Sequence, residues 1–229
     1  QFYYQPFYKN KKKSIKVGYL TANDENILMG GGNDMTTTLL RSKIYEPDLK
    51  VEDMLEGDVE AVLIFLRNTS FGPDYSLMIN DPATGEKFNA TILLDELNIK
   101  QPKNTPNEEG LFEIELPVSK SRVKLKVLTI ADKVEIERVL RSYPSDRTPP
   151  SITTRLIQTI VEINGDKDKG KIATFVQQMP IGDSKFIRRY MADNEPRLDL
   201  VKEVIAPSGE RVMVDITFGV EFFRPFLSV

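Results

Sequence analysis

The sequence predicts an α+β fold of two related units, each built of short strands and a β-hairpin packed with several helices. Three paired landmarks carry that expectation. A short alternating strand runs into Leu-Thr-x-x-Asp twice, as IKVGYLTAND from Ile15 to Asp24 and as VKLKVLTIAD from Val123 to Asp132, 108 positions apart. Gly57-Asp58 and Gly182-Asp183 each open an amphipathic stretch at an offset of 125. The turns in INDPATGEKF (79–88) and VIAPSGERV (204–212) align Gly85 with Gly209 at an offset of 124. Fixed order and nearly fixed spacing mark one supersecondary unit used twice. The growth of the offset asks for an insertion of about 17 residues in the second copy, placed near 142–171, where Pro144, Pro149, Pro150 and the polar NGDKDKG run stand. The expected layout is an extended arm over 1–14, a first unit over 15–99, a linker over 100–110 and a second unit over 111–229 that ends in a Phe-rich segment. A chain of 229 residues holds two modest cores, since single domains usually run about 100 to 150 residues.

In the first copy Ile15, Val17 and Tyr19 alternate as a strand does. Thr21 stands three residues before Asp24, the spacing of a capping box in which hydroxyl and carboxylate each take an amide left free at a helix start. Thr129 and Asp132 repeat the device. GGGND (30–34) lacks the Gly-Lys-Ser/Thr of a phosphate cradle and reads as a loop. A short helix is expected over 36–44, stopped by Pro47, with a further turn over 51–55. Asp58 is placed to cap a helix over 59–68, in which Val62, Leu63, Phe65 and Leu66 make a broad apolar face around Arg67. Phe71-Gly72-Pro73 ends it, segments 75–79 and 87–94 flank a Pro-Ala-Thr-Gly turn as a hairpin, and 95–99 closes the unit. KQPKNTPNEEG (100–110), polar with two prolines and a glycine, is the linker.

The second copy reads as strands over 111–116 and 123–128, a helix over 131–141, and a helix over 151–163 with Ile152, Leu156, Ile160 and Ile163 on one stripe. Asp183 is placed to cap a helix over 184–193 with Phe186, Ile187, Tyr190 and Met191 inward. Arg188 and Arg189 beside them read as a solvated face rather than an anion site. The hairpin over 200–205 and 211–218 alternates plainly in Val212, Val214 and Ile216.

Composition excludes much chemistry. The chain has no cysteine and no histidine, so disulfides, thiol nucleophiles, imidazole acid–base catalysis and thiolate or imidazole zinc sites are ruled out. No catalytic residue, metal ligand, cofactor or small-molecule substrate is predicted. A carboxylate hydrolase using Asp58 and Asp183 is disfavoured, because both acids sit where helix caps belong. A net charge of −3, from 31 basic and 34 acidic residues, gives no whole-chain field to draw in nucleic acid or an anionic membrane. No run approaches the roughly 20 apolar residues of a spanning helix, so a soluble chain with no membrane contact is expected.

Both ends are rich in aromatics. Residues 1–14 (QFYYQPFYKNKKKS) carry five aromatics and four lysines with no hydrophobic period. The preferred reading is an arm that lays Phe2, Tyr3, Tyr4, Phe7 and Tyr8 on a neighbouring subunit, with Lys11, Lys12 and Lys13 beside them. Single-strand nucleic-acid binding through Lys9, Lys11, Lys12 and Lys13 is disfavoured, because cations and rings are segregated rather than interleaved. At the other end Phe218, Phe222, Phe223, Phe226 and Leu227 fall within ten residues, either buried in their own module or offered to a partner. Phe222, Phe223 and Phe226 therefore join the candidate docking residues.

Taken together these motifs resemble the T4-type phage baseplate hub proteins and hub assembly factors of contractile-tailed bacteriophages. The resemblance rests on YLTANDENIL and VLTIADKVEI, on LPVSKSRVKLKV (116–127), on GDVEAVLIFLRNTSFGPDY, and on IGDSKFIRRYMADNEPRLDL followed by a hairpin and FFRP (222–225). It covers most of the chain. It implies a non-enzymatic structural component of a contractile tail baseplate, at or near the hub, docking on other tail and baseplate proteins or on further copies of itself. It also implies a place in the virion tail after assembly in the host cytoplasm. The alternative is a transient hub assembly chaperone. Members resembling this chain carry Cys-Pro-x-Cys-Gly zinc knuckles at the hairpin turns, where this chain has NDPATGE and IAPSGE. Pro and Gly remain there and every thiol is gone, so no zinc is carried over.

Overall fold

The computed structural model describes residues 7, 14–30, 35–144 and 146–223. It is a mixed α+β structure with seven α-helices and four small antiparallel sheets among the described residues. The chain divides into two compact units. A sheet unit takes Gln1–Ser14, Asp48–Glu56 and Gln101–Pro196, and a hairpin unit takes Ile15–Pro47, Gly57–Lys100 and Arg197–Val229. The hairpin unit takes residues from both sides of segment 100–110, the chain returning to it at Arg197. The reason is tertiary: both hairpins lie in one unit, and a short strand from each half pairs there.

In the hairpin unit the expected strand over 15–19 is reduced to one antiparallel bridge between Val17 and Ile44. Tyr45 lies over Gly18, where any Cβ would meet the ring within 3 Å, so only glycine admits that approach. Helix α1 (Ala22–Gly30) forms the carboxylate half of the predicted capping box, with Asp24 accepting from the Thr21 amide at 2.6 Å and hydroxyl at 2.7 Å, while the Asp24 amide donates to the Thr21 carbonyl instead of its hydroxyl. Lys43, at the end of α2 (Met35–Lys43), forms a buried ion pair with Asp24. Burial raises the Asp24 pKa, and hydrogen bonds from Lys43 and Thr21 outweigh it, leaving the carboxyl below its ordinary value.

Helix α3 (Glu56–Phe71) is longer than predicted and buries Val59, Val62, Leu63, Ile64 and Leu66. It leads into β1 (Asp74–Asn80) and β2 (Lys87–Leu93), paired from Asp74 with Leu93 to Asn80 with Lys87. Strand β3 (Ile99–Lys100) pairs with β7 (Arg197–Leu198), and β8 (Val201–Ile205) with β9 (Arg211–Asp215) makes the second hairpin. Gly85 and Gly209, the aligned turn residues, both take positive φ, at 73° and 88°, which turns of this kind require and glycine supplies without steric cost.

In the sheet unit β4 (Leu111–Glu115), β5 (Arg122–Lys126) and β6 (Ile160–Ile163) form one antiparallel sheet in that order. Strand β6 corrects the helix expected over 151–163. Helix α5 (Ser151–Thr159) stops one residue short of Ile160, which pairs with Leu125, because β-branched Ile160, Val161 and Ile163 suit the sheet edge. Helix α4 (Ile130–Arg141) opens with the full capping box of Thr129 and Asp132. Helix α6 (Lys169–Gln178) fills part of the predicted insertion, capped by Asp168 and seated through Ile172 and Val176. The expected linker is fastened too: Asn194, fully buried, accepts from the Asn104 amide at 2.6 Å.

Helices α3 and α7 (Ile181–Asn194) begin before the residues predicted to cap them, so Asp58 and Asp183 occupy third helical positions. Asp183 is fully buried, and its two oxygens accept from the amides of Val118 at 2.8 Å and Ser119 at 2.9 Å, in the β4–β5 turn. Burial raises its pKa, and the Val118 amide, the Ser119 side chain and amide and the charge of Lys120 together more than reverse that, leaving it below its ordinary value.

Because the folded pKa values of Asp24 and Asp183 are depressed, their stabilisation is complete above the unfolded value of about 4 and is lost as pH falls through the folded values. Urea midpoints measured from pH 6 down to pH 2 should fall steeply in that acid window. Asp183→Asn should flatten the fall and cost about 2 to 3 kcal/mol at pH 7; an unchanged profile would count against the role given to this carboxylate.

Candidate interaction surfaces

Of the predicted arm residues, Phe7 lies among the described ones, and Phe2, Tyr3, Tyr4, Tyr8, Lys11, Lys12 and Lys13 lie outside them. Phe7 is half-buried, with its ring 6.0 Å from that of Phe112 on β4. Phe112 is buried and meets Tyr190 of α7 edge-on at 5.7 Å, and Tyr190 in turn lies 6.3 Å from Phe186. Phe7 thus meets an aromatic row of the sheet unit.

Phe222 and Phe223 are buried in the hairpin unit, which withdraws them from the docking set; Phe226 lies outside the described residues. Their seat is built around Arg67, a fully buried cation. Its Nε donates to the Phe222 carbonyl at 3.1 Å, and its two terminal nitrogens donate to the carbonyls of Gly72 at 2.8 Å and Asp74 at 2.9 Å. The guanidinium lies 5.1 Å from the Tyr75 ring centre and 5.6 Å from that of Phe222. Burial pulls the Arg67 pKa below its ordinary value and lifts that of Tyr75. Phe222 also contacts Tyr75, Phe218 and Phe223, with ring centres 5.4, 4.9 and 5.0 Å away. The sequence placed Arg67 in an apolar face but contained no sign that its partners would be carbonyls, one of them 155 residues away.

The two hairpin turns meet each other. Asp81, buried in the first turn, accepts from the Ser208 hydroxyl at 2.7 Å and the Ser208 amide at 3.0 Å in the second, while its own Ala83 amide donates at 2.9 Å. These bonds hold the Asp81 carboxyl below its usual range, the Ser208 hydroxyl contributing most. A tetrahedral zinc does not fit this joint, whose donors are one carboxylate and one hydroxyl already bonded to each other, with no thiol or imidazole. Among the described residues, no group of three or more acids is placed to hold a metal ion.

An open cleft of about 700 Å³ lies over the outer face of the β4–β5–β6 sheet. Within it Lys124 sits 3.2 Å from Glu162 and 3.8 Å from Glu113. Arg188 and Arg189 are exposed. No helix among the described residues is long and apolar enough to cross a membrane.

The polar side chains that are most deeply placed therefore fasten this chain's own turns and termini, the organisation of a structural protein. Residues 3–224 match the family model of the T4 bacteriophage base plate protein, and the chain belongs to that family. Membership implies a structural role in the baseplate, a place in the virion tail and contact with other phage tail proteins. No curated protein and no solved structure matches the chain.

Two measurements probe the joints. Arg67→Lys keeps the charge but not the three-way fork, and should cost about 2 to 4 kcal/mol in chemical unfolding while raising hydrogen exchange at Phe222 and Phe223. Ser208→Ala should cost about 1 kcal/mol and Asp81→Ala about 2 kcal/mol, with the double variant no worse than Asp81→Ala alone; additive losses would break the assigned coupling.

Proposed function

We propose that this chain is a structural component at or near the hub of a contractile phage tail baseplate, working by docking rather than catalysis. Its N-terminal arm is the principal docking element. The observation that carries this reading is the contact of Phe7 with Phe112 on β4, and we assign the further aromatics Phe2, Tyr3, Tyr4 and Tyr8 to a neighbouring tail protein or another copy of this chain. Phe226 is the remaining candidate at the other end.

The duplication is part of the proposal. In both copies the Asp carboxylate, Asp24 or Asp132, accepts from the amide and hydroxyl of the Thr three residues before it, Asp58 and Asp183 are both buried at the third position of a helix, and each of these helices precedes a hairpin with a positive-φ glycine. The Asp81–Ser208 joint stands where related hairpins carry zinc knuckles, which we take to be lost in this chain.

The burial of Phe222 and Phe223 supports a second reading, a transient assembly chaperone whose C-terminal region is packed on itself. Mass spectrometry of purified mature particles separates the two, since a chaperone leaves and a component stays. Nucleic-acid binding by Lys9, Lys11, Lys12 and Lys13 would instead show a salt slope of roughly −3 on single strands.

Deleting residues 1–14 should abolish incorporation into tails while the body keeps its circular dichroism and loses only the modest stability of the Phe7 contact. Unfolding of the truncated body would overturn the arm, and normal incorporation would overturn the docking role.

A further inference from the structure

Helix α7 presents a face that its own unit leaves uncovered. Ile181, Lys185, Arg188, Arg189 and Ala192 recur at the three- and four-residue spacing of one helix side, and all are exposed. Ile187, Met191 and Asn194 on the other side are buried and fix the helix in place. The β4–β5 turn is pinned against the start of this face by the two amide bonds to Asp183. It brings Val118 so close to Gly182 that a Cβ there would meet the Val118 methyl at 2.9 Å. Val118 thereby stands one residue from Ile181, and these two aliphatic side chains are 57% and 74% exposed.

The cations on this face are unmatched. Lys185, Arg188 and Arg189 form no ion pair among the described residues, and Arg188 Nε reaches only the Ser184 carbonyl of its own helix, at 3.4 Å. Arg138 with Glu135, Arg141 with Glu137, Lys103 with Asp193 and Lys171 with Asp166 show cations of the same unit that do meet acids. Like charges at such spacings repel one another on a helix, so the arrangement opposes the fold in isolation and is relieved by an anionic partner.

We propose that this face docks an acidic segment of a neighbouring protein. An apolar side chain of that segment covers Ile181 and Val118, and its carboxylates meet Lys185, Arg188 and Arg189, the two guanidinium groups offering paired donors that match a carboxylate. Protein is favoured over nucleic acid because the most exposed side chains are aliphatic and give bases nothing to stack on, while the nearby Phe186 ring is engaged with Tyr190. The surface is distinct from the arm and rests on the reading of this chain as a docking protein.

The test uses the full chain and three labelled probes: a short peptide of alternating glutamate and leucine, the same peptide with lysine for glutamate, and an oligo-dT strand. The Glu/Leu peptide should bind, about tenfold more weakly to Arg188→Glu/Arg189→Glu and more weakly to Val118→Ser, with melting temperatures unchanged. Should the charge reversal fail to fold, Arg188→Gln/Arg189→Gln serves in its place. Equal binding of the lysine peptide, tighter binding of oligo-dT, no binding of the Glu/Leu peptide, or variants that bind as the parent does would each overturn the proposal. Incorporation into tails separates the two readings. Loss on deleting 1–14, without loss in the α7 variant, sinks this face and spares the docking function; no loss in either sinks both.

Discussion

A carboxylate taken out of water must be met by donors, and a turn taken out of water must find acceptors for its amides. In this protein the two needs answer each other. Asp24 takes the Thr21 amide, Asp132 the Thr129 amide, Asp81 the amides of Ala83 and Ser208, and Asp183 those of Val118 and Ser119. An ionised carboxylate accepts only, at two oxygens on a short stem, and charge strengthens each bond it receives. Two of these joints start helices, one clasps a pair of hairpins, and one holds a sheet turn against a helix.

Which joints could be foreseen depended on how far the acid reaches. Thr21 with Asp24 and Thr129 with Asp132 are three residues apart, and their spacing predicts the caps that form. Asp183 carries the same local signature, Gly-Asp before an apolar run, yet its partners lie 65 and 64 residues back in the chain. Spacing carries no information about such a partner. Arg67 is the harder case, because a cation in an apolar face is expected to lie at the edge in water or beside an acid, and this one is met by three carbonyls.

Errors in the predicted elements have the same origin. Ile160 and Ile163 continue a helical stripe from Ile152 and Leu156, and only the neighbouring strand β5 decides that they extend. Helix α6 begins at the end of the segment whose Asp-Lys run suggested a polar insertion and continues beyond it, and Asp168 ahead of Ile172 and Val176 is a cap and a stripe in plain view. The hairpins and the β4–β5 pair came through intact because their signals, alternation and turn glycines, are local.

Sulfur has no part in any of these joints, and the chain contains no cysteine. Fastenings made of carboxylates and amides neither gain nor lose electrons, and they do not depend on a bound ion. A chelator, a reductant or an oxidant acting on thiols has nothing in them to attack. A joint closed inside a reducing cell would hold unchanged in an oxidising medium outside it.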